Sequence, residues 1–168
     1  MTTLIPQIAQ IKNSWLYQQI DVQFPTKESL KGLELYKQAV ATREYQVVTE
    51  LPTIETPFSP DDIFLVDFHR LTVMFALIQA SQWQSDFEQE MIVEFLTQII
   101  YSEPCSLYLG FQSGEPVAAA IITKSEQNVL ISDVVIKGRE PSSTDFIAAL
   151  LSKLSNEFPA NIEILIEK

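Results

Sequence analysis

Three runs with a side-chain period of two follow one another between residues 106 and 136, separated by two short polar turns. They are "SLYLGF", "PVAAAIIT" and "VLISDVVI", with "QSGE" and "KSEQN" between them. Strands joined by turns this short pair antiparallel with their neighbours. The middle run is apolar at successive positions, as a strand covered on both faces is. Its three alanines, Ala118, Ala119 and Ala120, leave room for close packing. The chain must therefore place layers of structure on both sides of an antiparallel meander.

Those layers are read from helical spacing elsewhere. Leu4, Ile8, Ile11 and Trp15 recur at intervals of three and four, which predicts a helix over 4–20. A second helix follows within residues 23–42, capped by Thr26 and weakened by Gly32. Tyr45, Val47, Thr49 and Leu51 alternate, predicting a strand within 43–52, and residues 53–60 read as a linker. Ser59-Pro60-Asp61-Asp62 has the residues of a helix start, and the apolar run after it predicts a buried helix to about residue 80. Ser85-Asp86-Phe87-Glu88 is a capping box that opens another helix, to about Ile100. The last segments read as a helix over 144–158 and a strand over 161–168. The expected fold class is α/β, of the α+β type: a mixed, mostly antiparallel sheet with helices on both faces.

Length and composition suit one domain with a real core: 168 residues, 46% hydrophobic and 20% charged. The formal net charge of −11 repels nucleic-acid phosphates and anionic lipid surfaces, so neither nucleic acid nor membrane is an expected partner. The lone Cys105 excludes an internal disulfide and fits a reducing compartment. The first residues show no leader pattern and no run is long enough to span a bilayer, so the expected location is cytoplasmic.

From residue 44 the expected order is strand, helix, helix, three strands, helix, strand. With the hairpin texture of "LYLGFQSGEPVAAAIITKSEQNVLISDVV", this order resembles the GNAT N-acetyltransferase family. The resemblance covers about residues 44–168, which it casts as an acyltransferase-like core, with 1–43 as a helical N-terminal extension of a single 1–168 domain. It implies acetyl-CoA or CoA as cofactor. The pantetheine arm would lie along Val134, Val135 and Ile136, in a gap between the strands of 129–136 and 161–167. The pyrophosphate would meet Ser142, Ser143 and Thr144 at the following helix start, where free N–H groups and positive potential hold anions. Asp133 would be the catalytic base that deprotonates an amine, its pKa raised by desolvation beside Val134 and Val135.

The phosphate corner departs from the family's Q/R-x-x-G-x-G/A loop. Ser142, Ser143, Asp145 and Ile147 stand at its positions, so none keeps its residue. Asp145 falls in the first helical turn, where a carboxylate occupies the N–H groups that would cradle phosphate. Lys137 and Arg139 stand close by as partial compensation. The resemblance also implies a helix and hairpin after the last strand, which this core lacks. That would leave the strand 161–167 with an open edge, to be covered by the N-terminal helices or by a second subunit in a homo-oligomer.

Two functions follow. One is a divergent acetyltransferase-like protein with weakened or lost acetyl-CoA binding, acting as a ligand-binding or protein-interaction module. The other is an active acyl-CoA-dependent N-acyltransferase. Other candidates read as structure. His69 sits beside Asp67 and Arg70 with no nucleophile at a recognisable spacing. Cys105 follows Glu103-Pro104, with no base partner to form a thiolate. Glu88, Glu90 and Glu94 do not share one helix face and have no His or Cys companions, so no metal is expected. Trp15, Trp83, Phe64, Phe68 and Phe75 read as packing residues.

Overall fold

The computed structural model describes residues 4–48, 58–138, 142–159 and 161–168. Its elements are α1 (Gln7–Tyr17), α2 (Lys27–Val40), β1 (Tyr45–Val47), β2 (Ile63–Leu65), α3 (His69–Ala80), α4 (Asp86–Leu96), β3 (Cys105–Gln112), β4 (Glu115–Lys124), β5 (Asn128–Ile136), α5 (Ser143–Leu154) and β6 (Glu163–Glu167). The strands form one sheet in the order β1-β6-β5-β4-β3-β2. Every neighbouring pair is antiparallel except β5–β6, which is parallel.

The meander forms as its period requires. Leu107, Leu109, Ala119 and Ile121 point to one face, with α2, α3 and α4. Tyr108, Ala118, Ala120 and Ile122 point to the other, with α5. The alanines of β4 are fully buried, so the small side chains sit where both helical layers approach the sheet. Thr26 caps α2 by accepting from Ser29 N at 3.0 Å, and Ser85 caps α4 by accepting from Glu88 N at 3.1 Å. The backbones of α2 and α4 come unusually close at Gly32, where an added Cβ would lie 2.1 Å from Met91 O.

Two expectations are corrected. The Ser59-Pro60-Asp61-Asp62 start makes only a 3₁₀ turn over Pro60–Asp62. Residues 63–65 then pair with β3 as a strand, and the helix begins at His69. The segment is apolar enough for either structure, and the edge of β3 captures it. β2, and not the strand at 45–47, is thus the strand that precedes the two helices α3 and α4. The strand 161–167 also has no open edge. β5 pairs with it on one side and β1 on the other, Tyr45 opposite Glu167 and Val47 opposite Leu165. The N-terminal segment covers it, with β1 rather than a helix, while α1 packs Ile8 and Ala9 on Leu130 and Leu165. The part of the expected strand at 49–52, the linker over 53–57 and Arg139 lie outside the described residues.

Candidate functional site

β5 carries a bulge that decides where Asp133 points. Ser132 pairs with Ile121 and Val135 with Ala119, so two residues of β5 oppose one of β4. Asp133 has φ of 55°, a left-handed conformation that aspartate tolerates better than most residues. The extra residue reverses the alternation. Val129 and Ile131 face α5, and strict alternation would send Asp133 the same way. Instead Val135 packs on the α2–α4 side, and Asp133 faces the N-terminal helices.

There Asp133 enters a buried ionic cluster. Lys12 Nζ lies 3.1 Å from Asp133 Oδ2 and 3.3 Å from Glu167 Oε2, and donates to Tyr36 OH at 2.8 Å. Arg43 Nη1 lies 2.8 Å from Asp133 Oδ1 and also contacts Glu167 Oε1. Tyr36 OH donates to Asp133 Oδ1 at 2.7 Å, Ser132 Oγ to Asp133 Oδ2 at 2.7 Å, and Tyr45 OH to Glu167 Oε2 at 2.9 Å. Gln79 Nε2 fixes the strained backbone by donating to Asp133 O at 2.6 Å. Two cations thus face two carboxylates, drawn from α1, the α2–β1 connection, β5 and β6.

The electrostatics reverse the expected direction at Asp133. Burial alone raises its pKa, but Lys12 and Arg43 together outweigh burial and hold the carboxyl well below its ordinary value. Lys12 shows the same balance: burial favours the neutral amine, and Asp133 and Glu167 more than restore the charge. Burial pushes the Tyr36 hydroxyl well up, and the Asp133 charge pushes it further.

Beyond Ile131, which pairs with Ile166, β5 runs on without a partner on its β6 side, and the two strands leave a gap. A cavity of about 540 Å³ occupies it. Val134, Ile147 and Ile166 give it apolar walls, Ser143 and Thr144 line it from the start of α5, and Gln46–Val48 close it from β1. Of the residues expected at a ligand, Val134, Ser143 and Thr144 come together here. Val135 is buried on the opposite face, and Ile136 packs with the α5 cluster. Ser142 does not line the cavity. It is the N-cap of α5, its Oγ accepting from Asp145 N at 3.1 Å, as the self-capped corner requires. Glu167 lines the cavity as well, and no sequence pattern singled it out. Lys12, Tyr36 and Arg43 were likewise not legible as a set, since the carboxylates they meet lie 90 residues or more away in sequence.

The remaining candidates fall into structural places. Trp15 Nε1 donates to Ser102 Oγ at 2.9 Å, and Phe75 is fully buried. Phe64 and Phe68 are exposed, Phe64 resting edge-on against Phe111. His69 is exposed at the start of α3. No group of three ligating side chains that could hold a metal occurs among the described residues. Cys105 is buried, and burial pushes its thiol up to about 11, although Thr123 pulls it slightly down. A thiol-specific disulfide reagent at pH 8 is therefore expected to leave the native protein largely unmodified and to titrate one thiol after denaturation. Rapid native reaction would contradict the packing around β3.

No family model matches the chain, and no curated protein does. Solved structures do. A GNAT-family protein from Novosphingobium aromaticivorans DSM 12444 aligns over 75% of this chain and 51% of its own, at 11% identity and a TM-score of 0.44. A GCN5-related N-acetyltransferase from Kribbella flavida aligns over 80% and 53%, at 13% identity and a TM-score of 0.46. The chain thus spans about half the length of these two proteins. A functionally unknown conserved protein from Staphylococcus epidermidis ATCC 12228 aligns over 99% of this chain and 72% of its own, at 13% identity and a TM-score of 0.50. What the chain shares with the Staphylococcus epidermidis structure is a fold, which in this chain is a mostly antiparallel sheet opened between one parallel pair of strands.

Proposed function

We propose that the chain is a binding module on an acetyltransferase-like fold, whose β5–β6 cleft takes a slim, amide-bearing ligand without acyl transfer. The observation that carries this reading is the ionic cluster at the cleft. Asp133 and Glu167 are both buried and both paired with Lys12 and Arg43. A general base must take up a proton near neutral pH, and a carboxylate held ionised by two cations does not. The cleft fits half of a CoA molecule. Its apolar walls and the unpaired stretch of β5 suit a pantetheine arm, but the Ser142 cap and Asp145 occupy the helix start that a pyrophosphate needs.

The second reading, an active N-acyltransferase, is favoured by one observation: Val134, Ser143 and Thr144 line one cavity. In that reading Val134 to Ile136 hold the pantetheine, Ser142 to Thr144 the pyrophosphate, and Asp133 is the base. Thermal shift and a CoA-release assay separate the two. Ligand at 100 times its dissociation constant stabilises a fold by about 2.7 kcal/mol. Millimolar pantetheine is expected to raise Tm at least as much as CoA does, with no release of CoA from acetyl-CoA over a panel of amines. Release above the protein-free rate would establish the second reading. No shift with pantetheine would remove the cleft as a binding site.

A further inference from the structure

A second concavity, of about 480 Å³, lies between the start of α2, the end of α3 and the outer side of α4. Its apolar part is Leu77, Ala80, Met91 and Val93, and its rim is Glu28, Asp86, Glu90 and Glu94. Among the described residues, no basic one lines it. Among the described residues, none of these four carboxylates makes a salt bridge. Leu77 is 57% exposed and the adjoining Phe87 59%, so the apolar surface continues outside the groove.

The charges on α4 are not explained by the chain itself. Asp86, Glu90 and Glu94 stand four residues apart, so each repels the next along one stripe. Asp86 and Glu28 suit the helix starts they occupy, where the dipole is positive. Glu94 is in the last turn of α4, where the dipole opposes it, and among the described residues Glu90 pairs with no cation.

We propose that this groove docks a basic amphipathic helix of a partner protein. Charge and shape both select that occupant. Carboxylates four residues apart on a helix repeat at about 6 Å, the repeat of lysines four residues apart on a facing helix. The apolar floor and the exposed Leu77 and Phe87 match that helix's apolar stripe, in the manner of helix-in-groove recognition. A polyamine would use the charges but leave Leu77 and Phe87 uncovered. A second copy of this chain is a poor complement, because its net charge of −11 repels the same carboxylates.

The test uses the full chain and a fluorescent Leu/Lys amphipathic peptide of about four helical turns, with lysines four residues apart. A scrambled peptide of the same composition and spermine are the comparisons. The amphipathic peptide is expected to bind saturably at one per chain and to weaken with added salt. Glu90→Lys/Glu94→Lys is expected to weaken it by about tenfold or more. Glu115→Lys/Glu126→Lys, the same charge change at exposed sites on β4 and the β4–β5 turn, is expected to leave it within about twofold. Because the groove variant removes like-charge repulsion, its Tm should not fall, so lost binding would not reflect unfolding. Equal binding of the scrambled peptide or spermine, or equal loss in both charge variants, would overturn the proposal. So would a dimer, seen by sedimentation, that the groove variant dissociates, since it would assign the groove to a second copy.

Discussion

Lys12→Met is expected to lower the stability of the fold by about 3–5 kcal/mol, the usual consequence of removing one partner from a buried ion pair. Methionine fills most of the volume of the lysine stem, so the loss is electrostatic rather than a cavity. Lys12 is fully buried and touches Asp133, Glu167 and the Tyr36 hydroxyl. Without it, two buried carboxylates share Arg43. Linkage makes the prediction specific. In the native chain the Asp133 pKa lies below its ordinary 3.8, so its contribution is present above that value and is lost as pH falls through the folded pKa. Removing Lys12 raises the folded pKa of Asp133, and protonation then relieves the unpaired charge. The stability gap between native chain and variant should therefore narrow on going from pH 7 to pH 3. A gap that stays constant over that range would show that Asp133 is not what Lys12 holds. Adding Asp133→Asn to Lys12→Met should cost less than the sum of the single changes, because both act on one network.

Gly32→Ala is expected to destabilise by about 2 kcal/mol or more, against the sign of helix propensity. An exposed glycine inside a helix gains about 0.5–1 kcal/mol on becoming alanine. At this position the new Cβ would lie 2.1 Å from Met91 O and 2.7 Å from Phe95 Cβ. The carbonyl belongs to the α4 backbone, so relief requires the helices to separate. Separation would disturb the buried Tyr36 and Phe95, whose rings sit 5.8 Å apart. Urea unfolding measures the effect through the midpoint, and a raised midpoint would mean that α2 and α4 pack more loosely than described.

The meander, the helix caps and the covering of both sheet faces were legible because each depends on residues close in sequence. Thr26 and Ser85 are recognisable from a few neighbours, and so is the alternation of β4. Residues 63–65 were misread because a short apolar run fits either structure, and only the edge of β3 decides between them. The open edge at 161–167 was misread for a related reason: β1 is three residues long and pairs with a segment 120 residues later. At the cleft, the resemblance assigns Val134, Ser143 and Thr144 to a cofactor, and these three residues line one cavity. The environment of Asp133 did not, since a single bulge exchanges the two faces of β5, and periodicity carries no mark of it. Lys12, Tyr36 and Arg43 are ordinary helix and loop residues until topology brings them to one carboxylate.

The position of β6 has a consequence for assembly. This strand, formed last in synthesis among the described elements, sits inside the sheet between β1 and β5, and supplies Glu167 to the ionic cluster. Until the ribosome has delivered residues 163–167, the outer edge of β5 has no neighbour, β1 has nothing to pair with, and Arg43 lacks one of its two carboxylates. Pairings of such long sequence separation place the closing step late and make it slow relative to the helices and hairpins, because the loop entropy is lost before the contacts form. The nascent chain carries an unpaired β1 through most of its synthesis and an unpaired β5 edge through the last part of it, and one five-residue strand completes both.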